Sequence, residues 1–272
     1  MHKIILLPLF LLLVSCATID TEETSAPTVA TSPLKKGLKE FPPIKGKSVV
    51  AAVYSFSDKT GQRKPADNIA NLSSAVTQGA EVYLIKALMD LSDGKFFNVV
   101  ERGGLDNLVK ERQLIRNSRD QFDKGKSLAP LKFAGVIIEG GVVGYDSNKY
   151  TGGAGIRLMG IGPMAEWRVD IVTVGIRVVS VLTGDVLISV STEKTILSTN
   201  LGINVFKFYD MGTKLIEIEA GTSTNEPVNY AVRQAIELAV VELVKEGKRK
   251  KLWDFDNKIP QRFIVPTGGN KP

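Results

Sequence analysis

Past Cys16 the sequence contains neither a histidine nor a cysteine; its single copies of each, His2 and Cys16, both stand at the start. That excludes Ser/His/Asp and Cys/His nucleophilic sites, zinc held by His or Cys, and an intramolecular disulfide. After the opening segment no apolar run approaches the roughly 18 residues a transmembrane helix requires. Aromatic residues make up 7% and are not interleaved with basic ones, and the net charge of +6 is modest for the length. Nucleic acid is therefore not an expected partner. Gly153-Ala154-Gly155 begins a dinucleotide fingerprint, but Leu158 replaces the third glycine and no helix follows. No Walker-type loop occurs. Glu166 with Asp170, or Glu217 with Glu219, would be the only carboxylate pairs for a hydrolase, and both sit at strand spacing. No catalytic residue, metal ligand or cofactor site is assigned, and the chain is not expected to be an enzyme.

What is present begins with a secretory pattern. Lys3 precedes an apolar run from Ile4 to Val14, too short to span a bilayer as a helix. Leu13-Val14-Ser15-Cys16 has the form of a bacterial lipobox, which makes Cys16 the lipidation site; an ordinary cleaved signal with a chance cysteine is the minor alternative. Several acyl chains on Cys16 would hold the protein to a membrane at about 0.8 kcal/mol per buried methylene. Ala17, in place of Asp, points by likeness to other lipoproteins to the outer membrane.

Two stretches, residues 150–171 and 194–221, carry the two-residue period of half-buried β-strands. Glu166, Arg168 and Asp170 alternate with Trp167 and Val169. Ser198, Asn200 and Asn204 alternate with Leu197, Leu201 and Ile203, and Glu217 and Glu219 with Ile216 and Ile218. Arg157 lies between Ile156 and Leu158 in a glycine-rich arm. The polar set is expected to face a water-filled lumen and the apolar set lipid. Each arm has about the 9–11 residues of a transmembrane β-strand. Four strands cannot close a barrel, so several copies would have to pool their hairpins. A soluble antiparallel sheet with one covered face produces the same alternation.

The rest reads as an α+β chain: signal peptide 1–15, lipidated linker 16–48, an α/β domain over 49–149, hairpin 150–171, core strands 172–193, hairpin 194–221, a helix and closing segment over 222–259, and a disordered tail over 260–272. Val49–Phe56 is a first strand, followed by a long polar loop, Ser57–Ala70. A helix is expected from Asn71 to Leu91 and another over Leu105–Ile115 with Leu105, Leu108, Val109 and Ile115 inward. Phe97–Val100 and Phe133–Val143 are strands, and Val172–Leu182 with Asp185–Val190 form a hairpin across Thr183-Gly184. A last helix has Asn225 as its cap, a stripe from Val228 to Leu243, and the basic run Lys248–Lys251 complementing its C-terminal dipole.

On these residues the chain resembles the curli secretion channel family, the CsgG family. The likeness rests on the lipobox at Cys16, Asp58–Pro65 (DKTGQRKP), Ser73–Gln78 (SSAVTQ), Val100–Arg116 (VERGGLDNLVKERQLIR), Gly144–Asn148 (GYDSN), Ser191–Ser198 (STEKTILS), Thr224–Val228 (TNEPV) and Leu252–Lys258 (LWDFDNK). It implies a periplasmic domain resembling an anticodon-binding domain and two hairpins per subunit in a shared outer-membrane barrel, ninefold in the family. It also implies passage of unfolded curlin-type subunits without nucleotide, aided by a periplasmic plug protein and a surface nucleator. The family's channel narrows at the loop after the first strand, where an Asn, an adjacent aromatic and an upstream Tyr form rings. Asn71 matches the Asn, Leu72 stands at the aromatic position, and Asp67 and Asn68 lie in the stretch where the Tyr has no counterpart. A non-channel periplasmic lipoprotein acting in assembly is the competing expectation.

Overall fold

The computed structural model describes residues 29, 32–62, 76–122, 127–155, 161–208, 215–225, 228–256 and 258–263. Contacts divide the chain after Thr31, and all that follows concerns the unit from Ser32 onward. Its elements, in order, are α1 (Lys35–Lys39), β1 (Val49–Asp58), α2 (Glu81–Asp90), β2 (Phe97–Glu101), α3 (Leu105–Phe122), β3 (Val136–Gly155), β4 (Ile161–Ser180), β5 (Val186–Phe208), β6 (Leu215–Asn225) and α4 (Val228–Arg249). The strands form one sheet in the order β2-β1-β3-β4-β5-β6. β2, β1 and β3 are parallel, and β3 to β6 are antiparallel. The mixed α+β class expected from the sequence is the class observed.

The core lies between one face of the sheet and α2 and α4. Every second residue of β4, Val172, Val174, Ile176 and Val178, is buried there, beside Ile188 and Ile196 of β5. α4 is amphipathic, with Val232, Ala235, Ile236, Ala239, Val240, Leu243 and Val244 buried, a helical stripe wide enough to sit on two strands. β4 and β5 meet at a tight turn where Gly184 takes φ +77°, a conformation glycine adopts without Cβ strain.

Several elements differ from the sequence expectation. The linker is partly folded: α1 carries Leu38 into the core with Phe41, and Ile44 bridges Phe255. α2 starts at Glu81 and not at Asn71, because residues 76–80 form turns in which the Gly79 N–H donates to Thr77 Oγ1 (3.3 Å) and the Gln78 amide to the Val76 carbonyl (3.2 Å). Ser and Thr hydroxyls that bond nearby backbone compete with helix in this way. α3 is longer than expected and none of its residues is buried, so its apolar positions do not face the core. Phe133 precedes β3 and is 89% exposed. Asn225 ends β6, paired with Ser198. Within the stretch expected to be a disordered tail, Gln261–Phe263 form a helical turn and Phe263 is fully buried.

The chain closes on an aromatic cluster. The Trp253 indole N–H donates to the Val244 carbonyl (2.8 Å), and its ring stands edge-on to Phe96 and Phe97. A Cβ on Gly247 would lie 2.1 Å from that ring, so only glycine allows the return. The basic run is engaged locally: Lys248 pairs with Asp254 (3.0 Å), Arg249 with Glu246, and Lys250 donates to the Leu187 carbonyl (2.7 Å).

Asp254 ties this closure to the N-terminal segment, accepting from Lys45 (3.1 Å) while its carbonyl accepts the Lys45 N–H (2.7 Å). Hydrogen bonds from Lys248 and Lys45 hold its carboxyl down at about 2, from an ordinary 3.8. A depressed carboxylate contributes stability that is present above its unfolded value and is lost as pH falls through the folded one. Acid titration is therefore expected to loosen the 44–45 and 254–255 contact between about pH 4 and pH 2, read from Trp253 fluorescence. In Asp254→Asn that step should be absent.

Candidate channel site

The strands that carry the two expected hairpins are not separate insertions. β3, β4 and β5 run 20, 20 and 23 residues without interruption, from the helix-covered sheet into the hairpins. β4 and β5 keep an unbroken register from Ile161–Val205 to Val178–Ile188, so their alternation carries the covered face of the lower sheet into a single face of the hairpins, whereas β3 shifts register between Val142 and Gly144 and again between Asp146 and Tyr150.

The register aligns the expected lumen positions. Arg168 stands opposite Thr151 and Ser198, and Ser198 opposite Asn225. Glu166 stands opposite Gly153 and Asn200, and Asn200 opposite Ser223. Asn204 pairs with Gly162 and Glu219. Glu217 is the exception in kind, since Phe206 is its partner. The alternate rows hold the expected lipid positions: Tyr150–Val169–Leu197, Gly152–Trp167–Thr199, Ala154–Ala165–Leu201, Ile203–Ala220, Val205–Ile218 and Lys207–Ile216. Trp167 is 42% exposed. Ile156, Arg157 and Leu158 lie outside the described residues, as does Cys16.

Asp170 departs from the expectation of a lumen wall. It occupies the same alternate positions as Glu166 and Arg168 but is 1% exposed, and its Oδ2 accepts the Tyr145 hydroxyl at 3.2 Å. Tyr145 sits opposite Val172, one step further down β4, so the pair marks where the covered face gives way to the hairpin face. The alternation alone could not show this, because it does not say where cover ends.

Asp67, Asn68, Asn71 and Leu72, the expected constriction, also lie outside the described residues. The two feet of their loop are described, and one side chain holds both. Asp58 Oδ1 accepts from the Thr60 N–H (2.8 Å) and hydroxyl (2.6 Å), and its Oδ2 accepts from the Gln78 amide (3.2 Å). The Lys59 N–H donates to the Val142 carbonyl of β3 (2.8 Å), which carries the outgoing foot one step along the sheet. Sequence reasoning passed over Asp58, although Asp-x-Thr is the signature of a side-chain-closed turn. Asp58→Ala should release both feet. Losing bonds to a carboxylate costs about 1–2 kcal/mol here, so cleavage by trypsin at Arg63 should be about tenfold faster, with the melting temperature little changed.

Residues 35–263 match the family model of the curli production assembly/transport component CsgG. The chain is similar to the curli production assembly/transport component CsgG of Escherichia coli K12, at 38% identity over 267 residues, 96% of this chain and 94% of that protein. The CsgG proteins of Salmonella typhimurium and Citrobacter koseri are similar at the same identity and coverage. Among solved structures, the PelC dodecamer from Paraburkholderia phytofirmans superposes with a TM-score of 0.28 at 10% identity, over 75% of this chain and 90% of that one. A neuraminyllactose-binding hemagglutinin homologue from Helicobacter pylori superposes with a TM-score of 0.30 at 9% identity, over 84% and 95%. Both superpositions are too weak to bear on the argument.

Proposed function

Because the chain belongs to the CsgG family, that of the curli production assembly/transport components, we propose that it is one subunit of an outer-membrane channel through which unfolded curli-type fibre subunits leave the periplasm. Copies of the chain form a ring. Residues 150–171 and 194–221 of each copy supply four strands to one barrel, and the α/β body stays on the periplasmic side, held to the membrane by lipid on Cys16. The loops containing Asp67, Asn68, Asn71 and Leu72 converge on the axis and admit only an extended polypeptide. Leu72 gives an apolar collar where an aromatic would stack. Transport draws on the entropy of unfolded cargo confined on the periplasmic side and uses no nucleotide.

The observation that supports this reading most directly is the pairing of the hairpins. β4 is hydrogen-bonded on both sides along the hairpins, to β3 as far as Gly155–Met164 and to β5 as far as Ile161–Val205. β1 leaves β3 at Val142, and β6 pairs only with β5. Among the described residues, the outer edges of β3 beyond Val142 and of β6 therefore have no partner strand. Lipid tolerates no such edge, and a neighbouring copy has the strand to fill it.

The test is the assembled protein. Detergent-extracted material imaged by negative stain should show rings with countable subunits, and reconstitution into planar bilayers should give single-channel conductance. A monomer without conductance would favour a non-channel lipoprotein that assists assembly.

A further inference from the structure

β3 is irregular where β4 and β5 are not. Between the pairs Val142–Val174 and Tyr150–Val169, β3 advances eight residues while β4 advances five. β4 and β5 cross the same level in unbroken register, and β5 and β6 show no shift along their pairing. All the excess length therefore lies in one strand, up to about 10 Å at 3.3 Å per residue. A bulged strand bends and twists more than its partner, so the sheet curves here with β3 on the outside. The bend begins at Val142, where β1 stops pairing, and ends at Tyr150, where the first hairpin begins.

The two bulges differ. In the first, Val143 is the one residue in excess; it is half exposed, and it moves the covered side chains of β3 from Val136, Ile138 and Val142 to Tyr145. In the second, Ser147, Asn148 and Lys149 stand against Asp170 alone, an excess of two that leaves the alternation unchanged. Tyr145 thus lies between the bulges, and Asp170 lies on β4 opposite the second. They are diagonal neighbours on one face of the sheet. Both are buried, and the Tyr145 hydroxyl donates to Asp170 Oδ2 at 3.2 Å. An aspartate is rarely buried so fully unless it is paired. Here the pairing joins the inner strand of the bend to the outer one.

We propose that Tyr145 and Asp170 are positioning residues that brace this bend and so fix the angle at which the first hairpin leaves the body. The inference rests on the channel reading. A ring closes only if every copy repeats one rotation to its neighbour, and an error at the bend is carried outward along the hairpin. With the brace in place the bend has one setting and the rings one subunit count. Without it, neighbouring settings become accessible and rings of different size close.

The test compares full-length, detergent-extracted wild-type protein with Tyr145→Phe, Asp170→Leu and Asp170→Asn. Tyr145→Phe keeps the aromatic side chain and loses the donor; Asp170→Asn keeps an acceptor oxygen and should behave as the wild type. Amides of residues 142–150 should exchange with solvent about tenfold faster in Tyr145→Phe and Asp170→Leu, while those of α4 are unchanged. In negative stain the same two variants should give rings of more than one subunit count. In planar bilayers their unitary conductances should spread at least about twofold more widely than those of the wild type. A purely structural contribution would instead lower the urea midpoint and the yield of rings while leaving those rings uniform. Wild-type exchange or uniform rings in Tyr145→Phe would therefore overturn the proposal, and so would an Asp170→Asn protein as heterogeneous as Asp170→Leu. Wild-type protein that forms no ring would defeat the channel reading, and the exchange rates of Tyr145→Phe would still decide whether the brace exists.

Discussion

Replacement of Glu237 by Leu is expected to lower the stability of the folded unit by about 3–5 kcal/mol, the range for leaving one member of a buried ion pair alone. Glu237 and Arg233 lie one turn apart on the covered face of α4, their side chains 5% and 7% exposed, with Nε to Oε1 at 3.0 Å. The second carboxylate oxygen accepts the Ser32 hydroxyl. Among the described residues Arg233 Nη2 has no hydrogen-bond partner, so the guanidinium is short of one bond before its counter-charge is removed. Burial raises the Glu237 pKa, and this outweighs the opposing hydrogen bonds from Ser32 and Arg233. The carboxylate is thus less well solvated in the fold than in water, even with its partners. The double replacement Arg233→Met/Glu237→Leu should accordingly recover most of the loss, because apolar groups of similar volume often match a buried pair. Urea denaturation of the three proteins decides the matter. A single variant no less stable than the double one would mean that the pair is not buried in solution. The single variant should also free the arm at Ser32, seen as faster proteolysis near Leu34 and Lys35.

The contrast between this pair and the hairpins shows what the sequence could disclose. The long strands β4 and β5 were legible because alternation is a local property: Glu166, Arg168, Ser198 and Asn200 announce one face without reference to anything distant. The turn at Thr183-Gly184 and the stripe of α4 were legible for the same reason. The Ser32–Glu237 contact spans 205 residues, and nothing near Ser32, in a segment rich in Thr, Ser and Pro, marks it as part of a fold. α1 and Phe263 were hidden likewise, since short segments gain their structure from tertiary burial and not from propensity. α3 failed in the other direction. Its 3.6-residue period predicts a face turned to the core, yet the helix buries none of its residues. At Asp58 the turn signature lies inside a longer motif, and the Gln78 contact it makes is 20 residues away. At Asp170 the period was right, and only the position of the helices over the sheet decided that the residue is covered.

The sharpest test of the channel reading exploits two adjacent positions on β5. Asn200 stands opposite Glu166 and Ser223, and Leu201 opposite Ala165 and Thr222, so a single step along the strand passes from one face to the other. If these hairpins form a membrane barrel, arginine at the two positions must have opposite consequences. Leu201→Arg places a charge against lipid, at about 2–4 kcal/mol per subunit near the bilayer midplane. A ring repeats that penalty in every copy, so the heat-resistant oligomer and the conductance should both be lost. Asn200→Arg places the same charge in the water-filled lumen, where assembly should survive and the reversal potential should shift toward anions, in keeping with the selectivity of a ring of positive charge. The fold's own body serves as the internal control: urea denaturation of the α4–sheet core should be the same in both variants. Equal tolerance of arginine at Asn200 and Leu201 would mean that both faces are wet, and the hairpins would then be arms of a soluble sheet.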